Sequence, residues 1–155
     1  MRNRPVAVQI AFTPAEELCD FARLLEKLRG AGASAIELNI VDPEKRDLSA
    51  LRVALDDAGV PMSYYATGAD AKHHRLSLSA ATRRERGAAI ERCRQYIETA
   101  AAFGAGIIIG FLKGPAANDP NAAAQRLQDS LSVIAPAAED AGVSICLEAT
   151  NRYEA

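Results

Sequence analysis

Residues able to do chemistry gather at the C-terminal end of the chain. The run Cys146-Leu-Glu-Ala-Thr-Asn-Arg-Tyr-Glu-Ala155 holds an acid at Glu148, polar groups at Thr150, Asn151 and Arg152, and a second acid at Glu154. Just before it, Val143, Ile145 and Leu147 alternate with Ser144, Cys146 and Glu148. Side chains alternate across a strand, so Glu148 falls on the last inward position of one. At the C-terminal mouth of a parallel barrel such a carboxylate is placed to ligate a divalent metal or to take a proton. The plainer reading is a rim Glu that is solvated or paired with Arg152. Glu37 holds a similar inward position earlier in the chain. It either bonds interior groups, as buried acids must, or touches a ligand directly.

Three other features carry weaker chemistry. His73-His74 lie in the longest non-periodic stretch, Thr67 to Ala81. A solvated loop pair is the simplest reading, with contact to a phosphate or ligation of a metal as alternatives. Lys113 in Gly110-Phe-Leu-Lys-Gly114 is placed to meet a phosphate, but the segment lacks the spacer and Gly-Lys-Ser/Thr ending of a P-loop. Arg83-Arg84-Glu85-Arg86 reads as a solvated helix start. Cys146 is assigned to packing, as a small, weakly polar side chain.

Positioning these groups requires a repeating framework. A helix, a small residue with Gly, and a short apolar run recur four times: before Ala35-Ile-Glu-Leu, Val60-Pro-Met-Ser, Ile107-Ile-Ile and Val143-Ser-Ile-Cys-Leu-Glu. Gly suits the left-handed residue that closes a helix, and helices alternating with short β-rich runs make a parallel sheet. The pattern predicts strands near 6–12, 34–40, 60–66, 106–112 and 143–149, with helices near 14–29, 47–58, 82–103 and 120–141. Thr13-Pro14-Ala15-Glu16, Thr82-Arg-Arg-Glu85 and Asp119-Pro120 mark helix starts by cap, capping acid or proline. Leu18, Phe21, Leu25 and Leu28 fall on one face of the first helix, as packing on a sheet requires.

The strands have one large apolar face and one small or polar face. Val6, Val8, Ile10 and Phe12 oppose Ala7, Gln9 and Ala11; Ile36, Leu38 and Ile40 oppose Ala35, Glu37 and Asn39. A sheet covered by helices on both faces reads as near-continuous apolar runs. The asymmetry favours an α/β fold of parallel (β/α)8 barrel type over a flavodoxin-like open sheet. A whole barrel takes roughly 200–250 residues, so residues 1–155 are expected to be a single domain, the first five strands of a partial barrel. That leaves two sheet edges unpaired and a lumen open to water. Two copies joining such edges would form a homodimer.

The 155 residues are 49% hydrophobic and 25% charged, with net charge −2. This composition excludes disorder, and no apolar run approaches the roughly 18 residues of a membrane span. No secretory signal pattern opens the chain. The mild acidity argues against nucleic acid as a bulk partner. Three widely spaced Cys indicate neither a disulfide framework nor a zinc site, and a cytoplasmic location is expected.

The terminal run resembles the motif of the sugar phosphate isomerase/epimerase family, the xylose isomerase-like barrels. It is similar to the ketose 3-epimerase and hydroxypyruvate isomerase branches, whose fifth strand reads Leu-Glu-Pro-x-Asn-Arg-Tyr-Glu; Ala149 stands where the family has Pro. Thr67-Gly68, Leu76-Ser77-Leu78, Arg86, Ile107-Ile-Ile-Gly110 and Lys113-Gly114 also look like the family's corresponding segments.

The resemblance implies that Glu148 is a catalytic carboxylate and a ligand of a divalent metal, Mn or Mg, with Zn as an alternative. It implies that Glu154 hydrogen-bonds a substrate hydroxyl, and that Thr67, Gly68, Gly110 and Phe111 line a sugar pocket, with Glu37 in or under it. The implied activity is isomerisation or epimerisation of a sugar or sugar phosphate, by proton transfer through an enediolate stabilised by the metal. The family's remaining ligands, an Asp, a His and a Glu, belong to later strands that this sequence does not contain. Competing readings are an inosose dehydratase-like lyase, an endonuclease IV-like enzyme, and a non-catalytic half-barrel for binding or assembly. The endonuclease reading wants several zinc-binding His and a basic groove; this chain has two His and a net charge of −2.

Overall fold

The computed structural model describes residues 5–12, 18–115 and 118–149. Five strands, β1 (Ala7–Phe12), β2 (Ala35–Ile40), β3 (Met62–Ala66), β4 (Gly106–Ile109) and β5 (Ile145–Leu147), alternate with helices α1 (Leu18–Gly30), α2 (Leu48–Ala58), α3 (Gly68–His73), α4 (Arg83–Ala102) and α5 (Pro120–Asp140). All neighbouring strands are parallel, in the order β1-β2-β3-β4-β5. A flavodoxin-like sheet would place the first strand between the second and third. Sequential order, each strand beside its predecessor, is the winding of a barrel. The sheet is therefore a partial barrel, with β1 and β5 at its edges.

Two faces follow from the alternation. On the helix side, Ile36, Leu38, Ile40, Tyr65, Ile107 and Ile109 are buried against Phe21 and Leu25 of α1, Leu51 and Leu55 of α2, Cys93 and Ile97 of α4, and Ile134 of α5. Each large side chain so buried contributes about 1.5–3 kcal/mol. On the inner side lie Gln9 and Glu37, paired in register and joined by a 3.3 Å hydrogen bond from Gln9 Nε2 to Glu37 Oε2.

A β-bulge interrupts the alternation. Ile36 pairs with Met62 but Glu37 pairs with Tyr64, leaving Ser63 as the extra residue; its hydroxyl donates to Ile36 O at 2.9 Å. Met62 and Tyr65 thereby both reach the helix side, which a strict period of two forbids. Tyr64 turns inward, where it needs Gly106: a Cβ there would come within 2.5 Å of the Tyr64 ring and 2.4 Å of Ser144 Oγ.

Most predicted helix starts and stops take the expected form. Thr82 Oγ1 accepts from Glu85 N at 3.2 Å and donates to its carboxylate at 2.7 Å. Asp119 accepts from Ala122 N at 3.0 Å, and Gly59, at φ 62°, closes α2. The Thr13–Glu16 start lies outside the described residues. Two expectations are corrected. The stretch 67–81 is not a plain loop, since it opens with α3. β4 stops at Ile109 and gives way to a 3-10 turn over Phe111–Lys113. Among the described residues, no helix is long and apolar enough to cross a membrane.

Candidate functional site

The strand C-termini build a cavity of about 350 Å³ lined by Gln9, Asn39, Ala66, Thr67, Gly68, Ile108, Gly110, Phe111 and Glu148. Five positions singled out in the sequence meet there: Glu148, Thr67, Gly68, Gly110 and Phe111. Glu148 and Thr67 are held by hydrogen bonds to β4. Glu148 N–H donates to Ile109 O at 3.0 Å, extending the β4–β5 pairing by one residue. Lys113 Nζ donates to Glu148 O, so the lysine braces the strand end and is not presented as an isolated phosphate contact. Thr67 donates to Ile108 O through its N–H at 3.2 Å and its hydroxyl at 2.8 Å. The hydroxyl is thereby turned to β4, and Thr67 is fully buried.

Gly68 touches Phe111 closely: a Cβ would sit 3.2 Å from the ring. Glu37 is not on the wall. Through Gln9 it lies one step back, as an acid bonding interior groups. Glu154, with Thr150, Asn151 and Arg152, lies outside the described residues. Arg86 points away from the cavity's lining: its guanidinium donates to Ala80 O at 2.8 Å and Ala81 O at 3.0 Å and pins the chain entering α4.

Of the four wall residues not singled out as site residues, Gln9, Asn39, Ala66 and Ile108, the two polar ones stood on the polar strand face. Gln9 carries the hydrogen bond to Glu37, and Asn39 Oδ1 accepts from Ala69 N at 2.9 Å. A wider groove, about 790 Å³, lies between α1 and α2 beside Glu26, Arg29, Val53 and Asp57. No strand end enters it, so it lacks the convergence of groups expected of a barrel site.

A second polar centre lies beside the cavity, on the loop after β2 and on α3 and α4. Asp70 is fully buried. Its carboxylate accepts from Arg92 Nε at 2.7 Å, Arg92 Nη2 at 2.9 Å, the Tyr96 hydroxyl, and Asp42 N–H at 2.8 Å. Burial pushes the Asp70 carboxyl up, but the Arg92 and Tyr96 hydrogen bonds outweigh it and hold it below the usual range. Asp42 accepts from Lys45 Nζ at 2.8 Å and lies 2.6 Å from His74 Nε2. The Lys45 bond first, then His74, draws its pKa down to about 2. Asp42, His73 and His74 form a triad able to hold a metal ion. Cys93 is no nucleophile: burial pushes its thiol up to about 12, and a thiol needs a lowered pKa to react.

Among the described residues, Glu148 is the one carboxylate in the cavity wall; the other polar side chains, Gln9, Asn39 and Thr67, are neutral. Hard cations want several oxygen ligands, carboxylates first. The described residues thus supply one strong ligand and do not by themselves fit the metal at this place.

Solved structures share the architecture. An L-ribulose 3-epimerase matches with TM-score 0.75 and 22% identity, over 94% of this chain and 50% of that one. A 3-keto-D-glucoside 4-epimerase from E. coli matches with TM-score 0.70 and 15% identity, over 94% and 56%. A family 2 AP endonuclease from Brucella melitensis matches with TM-score 0.72 and 14% identity, over 97% and 57%. The chain thus spans roughly half the length of these proteins, and at such identities the likeness shows the fold alone. No curated protein matches. The sequential parallel strands and the cavity at their C-terminal ends agree with the match of residues 25–155 to the Xylose isomerase-like TIM barrel family, and the chain belongs to that family.

Proposed function

We propose that this chain forms the five-strand part of a metal-dependent sugar or sugar-phosphate isomerase/epimerase site. The observation that carries the reading is the meeting of Glu148 with Thr67, Gly68, Gly110 and Phe111 in one cavity at the strand C-termini. Glu148 acts on the substrate proton next to the carbonyl. It stands where its backbone is fixed by Ile109 and Lys113, and a fixed base within reach of its proton supplies about 10²–10⁴ of rate. Phe111 and Gly68 give an apolar wall against one sugar face, and Asn39 and Gln9 line the polar side. Glu154, outside the described residues, keeps the role of bonding a substrate hydroxyl that the family motif implies. A Mn or Mg ion would take Glu148 as a ligand here and would polarise the substrate oxygens; the described residues offer it no second carboxylate in this cavity.

Ketoses are the proposed substrate class, by the names of the epimerases that share the fold. The setting proposed is cytoplasmic, with no nucleic-acid or membrane partner. A second reading is assembly of two copies through β1 and β5, the edge strands among the described residues.

The test places these five strands within a closed barrel. Ketose epimerisation and solvent deuterium uptake at the adjacent carbon are followed by NMR with Mn²⁺ or Mg²⁺. Glu148→Gln is expected to lower turnover by about 10²–10⁴. Turnover unchanged in that variant removes Glu148 from proton transfer. A barrel that turns over no ketose, in a chain that sediments as a dimer, favours assembly.

A further inference from the structure

The polar centre beside the cavity contains a ligand set that the sugar chemistry does not use. Consecutive residues on a helix diverge by about 100°, so His73 and His74 would not converge if α3 continued. It ends at His73, and His74 leaves the helix at φ −92° and ψ 4°. The two rings meet edge to face, with centroids 4.7 Å apart. Across from them Asp42 adopts a left-handed backbone at φ 51°, a conformation that few side chains other than Asp and Asn tolerate. Asp70 holds it there, accepting Asp42 N–H at 2.8 Å. One ligand atom from each of Asp42, His73 and His74 lies within 4.8 Å of the other two.

We propose that Asp42, His73 and His74 bind a borderline transition-metal ion of the Zn²⁺ class, joining the loop after β2 to α3. Two imidazoles with one carboxylate select such an ion over Mg²⁺ or Ca²⁺, which want oxygen. Three protein ligands leave the fourth tetrahedral position to water. His74 Nε2 already lies 2.6 Å from Asp42 Oδ1, so the metal replaces a hydrogen bond between the two, and the pair opens by about 0.7 Å to suit a tetrahedral ion. Asp70 backs the site through Asp42, whose N–H it accepts at 2.8 Å, and such outer carboxylates fix the position of a metal ligand. Lys45 and Arg92 oppose the cation, but Asp42, Asp70 and Glu44 face them, leaving the cluster one negative charge in surplus. His73 is exposed and the His74 side chain is 38% accessible, so an ion enters without unfolding. The inference rests on none of the sugar reading.

The sequence contains only two histidines, which makes the test direct. The untagged chain, stripped with EDTA, is titrated with Zn²⁺ while the imidazole ¹H–¹⁵N spectrum is followed, and stoichiometry is read by equilibrium dialysis. The expectation is one Zn²⁺ per chain with both rings shifting together. His73→Ala and His74→Ala, checked for fold by circular dichroism without metal, should each weaken binding by at least about 10–100-fold. Glu148→Gln should leave it intact. The proposal is overturned by absence of stoichiometric binding, by a titration that moves only one ring or neither, or by binding that Glu148→Gln abolishes and the histidine variants retain. The wild-type spectrum decides the matter even where a variant fails to fold.

Discussion

The cavity at the strand ends and the polar centre around Asp70 are neighbours built on opposite principles. The cavity wall is fixed through backbone amides: Thr67 N–H and Glu148 N–H donate to the Ile108 and Ile109 carbonyls, and Ala69 N–H donates to the Asn39 side chain. Its one acid is exposed. The Asp70 centre is fixed by charge. Arg92 bonds a fully buried carboxylate through two nitrogens and reaches Glu44 at 2.9 Å with a third. A rigid frame with a free functional group suits a site that must meet a ligand. A saturated network suits a joint, and this one ties α3 and α4 to the loop after β2. Since α3 begins at Gly68 in the cavity wall, the joint sets where that wall stands.

The largest expected effect comes from breaking the joint. Asp70→Ala removes two hydrogen bonds from Arg92, whose side chain is only 13% accessible and keeps Glu44 and Gln95 through Nη1 alone, and it takes from the Tyr96 hydroxyl its Asp70 acceptor. Removing one partner of a buried pair costs about 3–5 kcal/mol. Urea unfolding should show the midpoint falling with an unchanged slope. A loss below about 1 kcal/mol would mean that water or Glu44 satisfies Arg92, and the contrast between joint and cavity would collapse.

A smaller effect is expected from acid. Asp42 is drawn down to about 2 from 3.8, and Asp70 is also lowered. A depressed native pKa means the unfolded chain binds protons first as pH falls. The contribution of Asp42 is therefore present above about pH 4 and is lost as pH drops through about 2, and that of Asp70 has the same sign. Melting temperatures followed down that range should fall less steeply in Asp42→Asn than in wild type. Salt should shrink the Lys45 share, because the Lys45 side chain is 70% accessible and exposed pairs are screened. Parallel acid profiles for the two proteins would place the acid sensitivity elsewhere.

The same division explains what the sequence disclosed. The sheet was legible because its signals are periodic: Ile36, Leu38 and Ile40 against Glu37 and Asn39 fixed both the faces and the barrel reading. Caps at Thr82 and Asp119 were legible because a cap is a local bond three residues long. The cavity positions followed from strand ends and the family motif. The Asp70 centre was hidden, since its partners lie 22 to 28 residues apart and α3 is too short, at six residues, to show a helical period. The Ser63 bulge breaks the alternation on which strand reading depends. Glu154 lies beyond the described residues, and its role stays with the family motif.

The smallest effect is the one that most sharpens the comparison. Glu148→Gln removes the one carboxylate that the described residues give the cavity wall, yet the bonds that fix the residue run through its own N–H and C=O. Glutamine keeps both, along with the shape of the side chain. An exposed residue whose side chain supports no network shifts stability by no more than about 0.5 kcal/mol. The urea midpoint of this variant should therefore match wild type, while the Asp70→Ala midpoint falls. If Glu148→Gln instead destabilises the chain by about 1 kcal/mol or more, its carboxylate is bonded into the fold as Asp70 is. A carboxylate held that way is not free to meet a substrate proton.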